Sequence, residues 1–98
     1  MEFVQIIQFR TSKFDEMRAL AEEWAAAEAG GTTQRVMMCQ DRDHPGQYVN
    51  VAFFESYEAA MEHSNAPTTQ AFAARMAALG DGPPTFFNLD VVEDRTLG

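Results

Sequence analysis

The sequence predicts an α+β domain of ferredoxin-like type, β-α-β-β-α-β, with a four-stranded antiparallel sheet carrying its helices on one face. Three observations predict it. Four short runs rich in Val, Ile, Phe and Tyr alternate with segments whose apolar residues recur every three or four positions. Clusters of Gly, Pro, Asn and Asp punctuate the chain between these segments. The 98 residues, 46% apolar and 22% charged, suit one domain spanning 1–98.

The first strand covers residues 2–10 and stops at Thr11-Ser12. A helix is expected from about Lys13 to Ala29, with Phe14, Met17, Leu20, Ala21 and Trp24 along one side. Ser12 is placed to cap it, and Asp15 suits the positive end of its dipole. Gly30-Gly31 ends it. Residues 33–41 read as the second strand, the Asp41–Gly46 cluster as a turn, and residues 47–55 as the third strand. These two strands make a hairpin. Ser56 caps a short helix to about His63, which Asn65-Ala66-Pro67 interrupts. A further helix runs from Pro67 or Thr68 to about Leu79, with Phe72, Met76 and Leu79 on one face. Gly80–Pro84 breaks the chain, and residues 85–93 form the fourth strand.

Alternate residues of a strand point to opposite faces, so a sheet covered on one side should be polar on the other. This one is apolar on both. Phe3, Ile7 and Phe9 oppose Val4 and Ile6; Tyr48, Ala52 and Phe54 oppose Val49, Val51 and Phe53; Phe87, Leu89 and Val91 oppose Phe86 and Val92. Helices cover one face only. The second calls for another cover, and a second copy of the chain, a homodimer, is the economical one.

Charge narrows the partners. The net charge is −8, from seven Lys and Arg against fifteen Asp and Glu. A nucleic acid or an anionic membrane needs a basic face, so neither is expected. No apolar run approaches the ~20 residues of a membrane span. The N-terminus lacks the basic and apolar regions of a signal peptide. Cys39 is the single cysteine, which excludes an internal disulfide and points to a reducing cytoplasm.

Two stretches carry a resemblance. Tyr48-Val-Asn-Val-Ala-Phe-Phe-Glu-Ser-Tyr-Glu-Ala-Ala-Met61 is a strand ending in an aromatic and acidic pair and leading into a helix. His63-Ser-Asn-Ala-Pro-Thr-Thr-Gln-Ala-Phe72 is a broken helix carrying a Pro and a Phe. The chain resembles, over nearly its whole length, the antibiotic-biosynthesis-monooxygenase-like group of the dimeric α+β barrel superfamily. The resemblance implies a pocket between sheet and helices in each subunit. It implies cofactor-free oxidation of polyketide-like aromatic substrates, haem degradation, or no known activity; the lack of an evident base-plus-nucleophile arrangement keeps a non-catalytic dimeric module that binds a ligand or stabilises a partner as the alternative. The haem branch uses an Asn on the first strand, and a Trp and a ligating His after the third. Here the first strand offers Gln5 and Gln8, Trp24 lies on the first helix, and His63 precedes the Pro67 break. That branch is disfavoured, and no cofactor is expected.

The chemistry-bearing residues are few. No metal-ligand spacing, nucleophile elbow or phosphate-cradling loop is present. Cys39 reads as a small buried hydrophobe and His44 as turn polarity. His63, near a helix C-terminus, reads first as a surface cap. It is also the one histidine placed to act as a base near neutral pH. Asn50 and Asn88 are amides among apolar strand neighbours; each needs a hydrogen-bond partner, which a structural neighbour or a ligand would supply. Trp24, Tyr48, Phe54 and Phe72 could wall an aromatic pocket or serve as core. For the oxygenase that the resemblance implies, the candidates are His63 as base and Asn50, Asn88, Tyr48 and Arg75 as groups facing an enolate or phenolate.

Overall fold

The computed structural model describes residues 1–28 and 30–98. The order is β1 (Phe3–Arg10), α1 (Phe14–Glu28), β2 (Thr33–Gln40), β3 (Gln47–Phe54), α2 (Tyr57–Asn65), α3 (Pro67–Leu79) and β4 (Thr85–Asp90). The strands form one antiparallel sheet in the order β2-β3-β1-β4. This is the expected ferredoxin-like α+β pattern, with its second helical segment divided in two. The expected helix end at Ala29 lies outside the described residues.

Local chemistry accounts for most boundaries. The Ser56 side chain accepts a hydrogen bond from the Ala59 N–H at 3.1 Å, the capping contact expected of it. Pro67 opens α3, where its missing N–H costs nothing. The start of α1 differs from expectation. The engaged hydroxyl there is Thr11, not Ser12: Thr11 Oγ1 accepts from the Lys13 N–H at 2.9 Å and donates to the Leu79 carbonyl at 2.7 Å. Thr11 is 3% exposed, so one side chain ties the entry of α1 to the exit of α3. β4 is shorter than the expected 85–93. Its partner β1 begins at Phe3, paired with Asp90, and the Val91 N–H to Glu2 carbonyl bond is the last the neighbour offers.

The register sorts the faces. Phe3 lies opposite Phe54, Gln5 opposite Ala52, Ile7 opposite Asn50 and Phe9 opposite Tyr48. This set, with Phe86 and Asn88 from β4, faces the helices. Large rings stand at the two ends of the central strands, whereas Gln5, Asn50 and Ala52 occupy the middle. The core splits accordingly. Phe3, Phe54 and Ala60 make one cluster; Phe9, Met17 and Tyr48 make the other, with Phe14 stacked on Tyr48 at 4.3 Å. Small and polar side chains cannot fill the space between.

The opposite face carries Val4, Ile6, Val49, Val51, Phe53, Phe87 and Leu89, as expected from strand alternation. Phe87 and Leu89 are each 43% exposed. Cys39 shares this face and is exposed, so its expected burial does not hold within one chain. Among the described residues no helix is long and apolar enough to cross a membrane.

Candidate active site

The gap in the core is a cavity of about 510 Å³, within the range of small-molecule sites. Its floor is the middle of the sheet: Gln5, Ile7, Asn50 and Ala52, with Phe86 at the β4 side. Its roof comes from Trp24 on α1, His63 on α2, and Phe72 and Met76 on α3. The break at Pro67 places Thr69 beside His63 at this wall.

His63 is not a surface cap. It lies in the last turn of α2, but its side chain is only 10% exposed. The ring packs edge-on to Trp24 at 5.7 Å and tilted against Phe54 at 5.4 Å. Its Nδ1 lies 3.1 Å from Glu28 Oε1 and 3.3 Å from Thr69 Oγ1. The same carboxylate oxygen accepts from Thr33 Oγ1 at 3.1 Å and from the Thr33 N–H at 3.4 Å. Glu28 is 18% exposed. A carboxylate accepts but cannot donate, so it favours the proton on Nδ1. The other ring nitrogen then keeps its lone pair.

Asn50 shows the opposite condition. Its Oδ1 is buried without a hydrogen-bond partner among the described residues. A buried acceptor left unpaired costs stability unless something fills it. Asn88 is satisfied instead: Gln5 Nε2 donates to its Oδ1 at 3.1 Å on the same face of the sheet.

The remaining candidates fall outside the cavity. Arg75 reaches Glu23 with both terminal nitrogens, at 3.2 and 3.1 Å, on the solvent side of the helices. It is therefore spoken for, and the cavity lining does not include it. Tyr48, 7% exposed, is stacked between Phe9 and Phe14 in the core. Phe54 supports the His63 ring from behind rather than lining the space. Trp24, Phe72, Asn50 and His63 are the candidates that the fold brings together. Glu28, Thr33 and Thr69 were missed. Their only signal was Glu28 one turn beyond Trp24 on the predicted helix, too common a spacing to single out. His44 pairs with Asp41 in the exposed β2–β3 turn. Among the described residues no group of three His, Cys, Asp or Glu is arranged to hold a metal.

No protein-family profile matches the chain, and no curated protein matches its sequence. Solved structures do. SnoaB, a cofactor-independent oxygenase from Streptomyces nogalater, superposes with a TM-score of 0.82 at 19% identity, over 95% of each chain. Rv0793 from Mycobacterium tuberculosis gives 0.80 at 18% identity, over 98% of this chain and 100% of that one. A structure named antibiotic biosynthesis monooxygenase gives 0.75 at 18% identity, over 95% of this chain and 100% of that one. Identity at this level carries the fold, and function has to be argued from the site. The chain shares the α+β fold of these solved structures, two of them named as a cofactor-independent oxygenase and an antibiotic biosynthesis monooxygenase.

Proposed function

We propose that this protein binds a small aromatic, polyketide-like molecule between its sheet and helices and oxidises it with molecular oxygen, without a cofactor. One observation supports the reading above the others: a nearly buried imidazole, oriented by a carboxylate, in the wall of a largely apolar cavity. The likeness to a structure named as a cofactor-independent oxygenase agrees with it.

The chemistry follows from the groups present. Trp24 and Phe72 offer flat apolar surface to a ring system, and Met76 an adaptable one. The free nitrogen of His63 takes the acidic proton of an activated CH₂ or phenol. The resulting carbanion is electron-rich enough to pass an electron to oxygen. Recombination at carbon and loss of water convert CH₂ and O₂ into C=O and H₂O, which balances without another reductant. Asn50 is placed to meet a polar group on the substrate; its unpaired Oδ1 calls for a donor, such as a phenolic hydroxyl.

The reading takes the chain as a homodimer joined through the apolar sheet face, where Cys39 would be covered, in a reducing cytoplasm. A second reading, binding without turnover, draws on Arg75: the cation expected to hold an enolate is committed to Glu23. Oxygen uptake separates the two. Anthrone-type or quinol substrates should consume oxygen above a heat-killed control, with a native mass of twice 10.9 kDa for the dimer. Saturable binding of the same compounds with no uptake would leave the binding module standing and end the oxygenase reading.

A further inference from the structure

We propose that Glu28 is a positioning residue that fixes the proton of His63 on Nδ1, and that Gly31 is glycine because that carboxylate needs its space. The inference rests on His63 as the base of the proposed reaction, but its test does not depend on turnover.

Three facts support it. Glu28 Oε1 is within hydrogen-bond reach of His63 Nδ1 and of both donors of Thr33, so the carboxylate is held from the β2 side while it faces the ring. In water a neutral imidazole of this kind prefers its proton on Nε2; a carboxylate at Nδ1 reverses that preference, as in any carboxylate–histidine pair. The third fact concerns Gly31. A Cβ built there would stand 2.5 Å from Glu28 Oε1, 2.8 Å from its Cδ and 3.0 Å from its carbonyl oxygen. Gly31 does not adopt a positive φ, unlike Gly30 at +86°, so the turn does not require glycine at position 31. What crowds it is Glu28, its carboxylate most closely and its backbone carbonyl next. The Gly31 N–H also donates to the Glu28 carbonyl at 2.7 Å.

The acid–base consequence is directional. With Nδ1 occupied, the lone pair at Nε2 is the only one the ring has to offer. Displacing Glu28 leaves His63 in the cavity wall but removes this constraint on its tautomer.

The experiment is ¹⁵N–¹H correlation spectroscopy of the two histidines in mildly alkaline buffer without substrate, with His44→Gln used to assign His63. Wild type should show a protonated Nδ1 and an unprotonated Nε2. Gly31→Ala should fold, because the closest clashes fall on the end of a flexible side chain and the Glu28 carbonyl at 3.0 Å has only a few tenths of an ångström to give, and it should return His63 to the mixture of free histidine. Glu28→Gln, which keeps an acceptor but no charge, should retain the tautomer. It should also lower turnover of any substrate found by about 10²-fold, with KM unchanged. A wild-type ring protonated on Nε2, or a protonated Nδ1 that persists in both Gly31→Ala and Glu28→Ala, overturns the proposal. Should Glu28→Ala not fold, Gly31→Ala alone decides. An Nδ1–H tautomer in a protein that consumes no oxygen leaves the positioning intact and removes the oxygenase reading.

Discussion

His44 and His63 each turn Nδ1 to a carboxylate oxygen at 3.1 Å, and the resemblance ends there. His44 sits in the β2–β3 turn, its side chain 66% exposed, and its partner Asp41 is three residues away. His63 is 10% exposed, and its partner Glu28 lies 35 residues away on another helix. The first pair is a product of local turn geometry. Water screens it, and such pairs contribute little. The second forms only once α1, α2 and β2 have packed. It is shielded by Trp24 and Phe54, and it faces a cavity. A carboxylate can orient a ring in either place; only in the second does orientation decide what a bound molecule meets.

The strongest way to break this comparison is to exchange each ring for an amide. His63→Gln should lower turnover by roughly 10²–10⁴-fold, the usual contribution of a general base. His44→Gln should leave turnover unchanged. Equal losses, read by oxygen uptake, would mean that the cavity histidine has no special role.

A smaller effect sharpens what the cavity itself contributes. Asn50→Leu removes an acceptor that has no partner among the described residues. Stability should hold or rise, by up to about 1–3 kcal/mol. Affinity for a hydroxylated aromatic ligand should fall by about tenfold for each 1.4 kcal/mol of hydrogen bonding lost. Urea denaturation and ligand titration of the same variant read the two numbers. A loss of stability would assign Asn50 to the fold instead.

The two histidines also mark what was legible beforehand. The turn around His44 could be read from Asp41, Pro45 and Gly46, because every determinant is within a few residues. The same holds for Ser56, Pro67 and the strand alternation that sorts Val49, Val51 and Phe53 from Tyr48, Ala52 and Phe54. The surroundings of His63 could not be read that way. A histidine in a last helical turn looks like a cap until Glu28 and Trp24 arrive from α1, and no local pattern encodes that arrival. Arg75 failed for the converse reason: Glu23 on the neighbouring helix captures it. Polar strand residues were ambiguous in kind. Asn88 found Gln5 across the β1–β4 ladder, whereas Asn50 Oδ1 found no partner among the described residues, and only the register distinguishes them.

The least expected disturbance belongs to the exposed pair, and its pH dependence has a definite sign. The Asp43 N–H, donating to Asp41 Oδ1 at 2.9 Å, holds the Asp41 carboxyl below its ordinary range, with His44 adding to the effect. A carboxyl whose native pKa is depressed binds fewer protons folded than unfolded, so it stabilises the fold above its unfolded pKa. That contribution is lost as pH falls through the native value. Asp41→Asn should therefore melt slightly below wild type at neutral pH, and the two curves should converge as acid protonates Asp41 in both states. The difference should shrink with added salt where it comes from His44, and persist where it comes from the Asp43 amide. A gap in melting temperature that widens toward low pH would contradict the assignment, and would mean that the turn is held by something other than the Asp41 carboxylate.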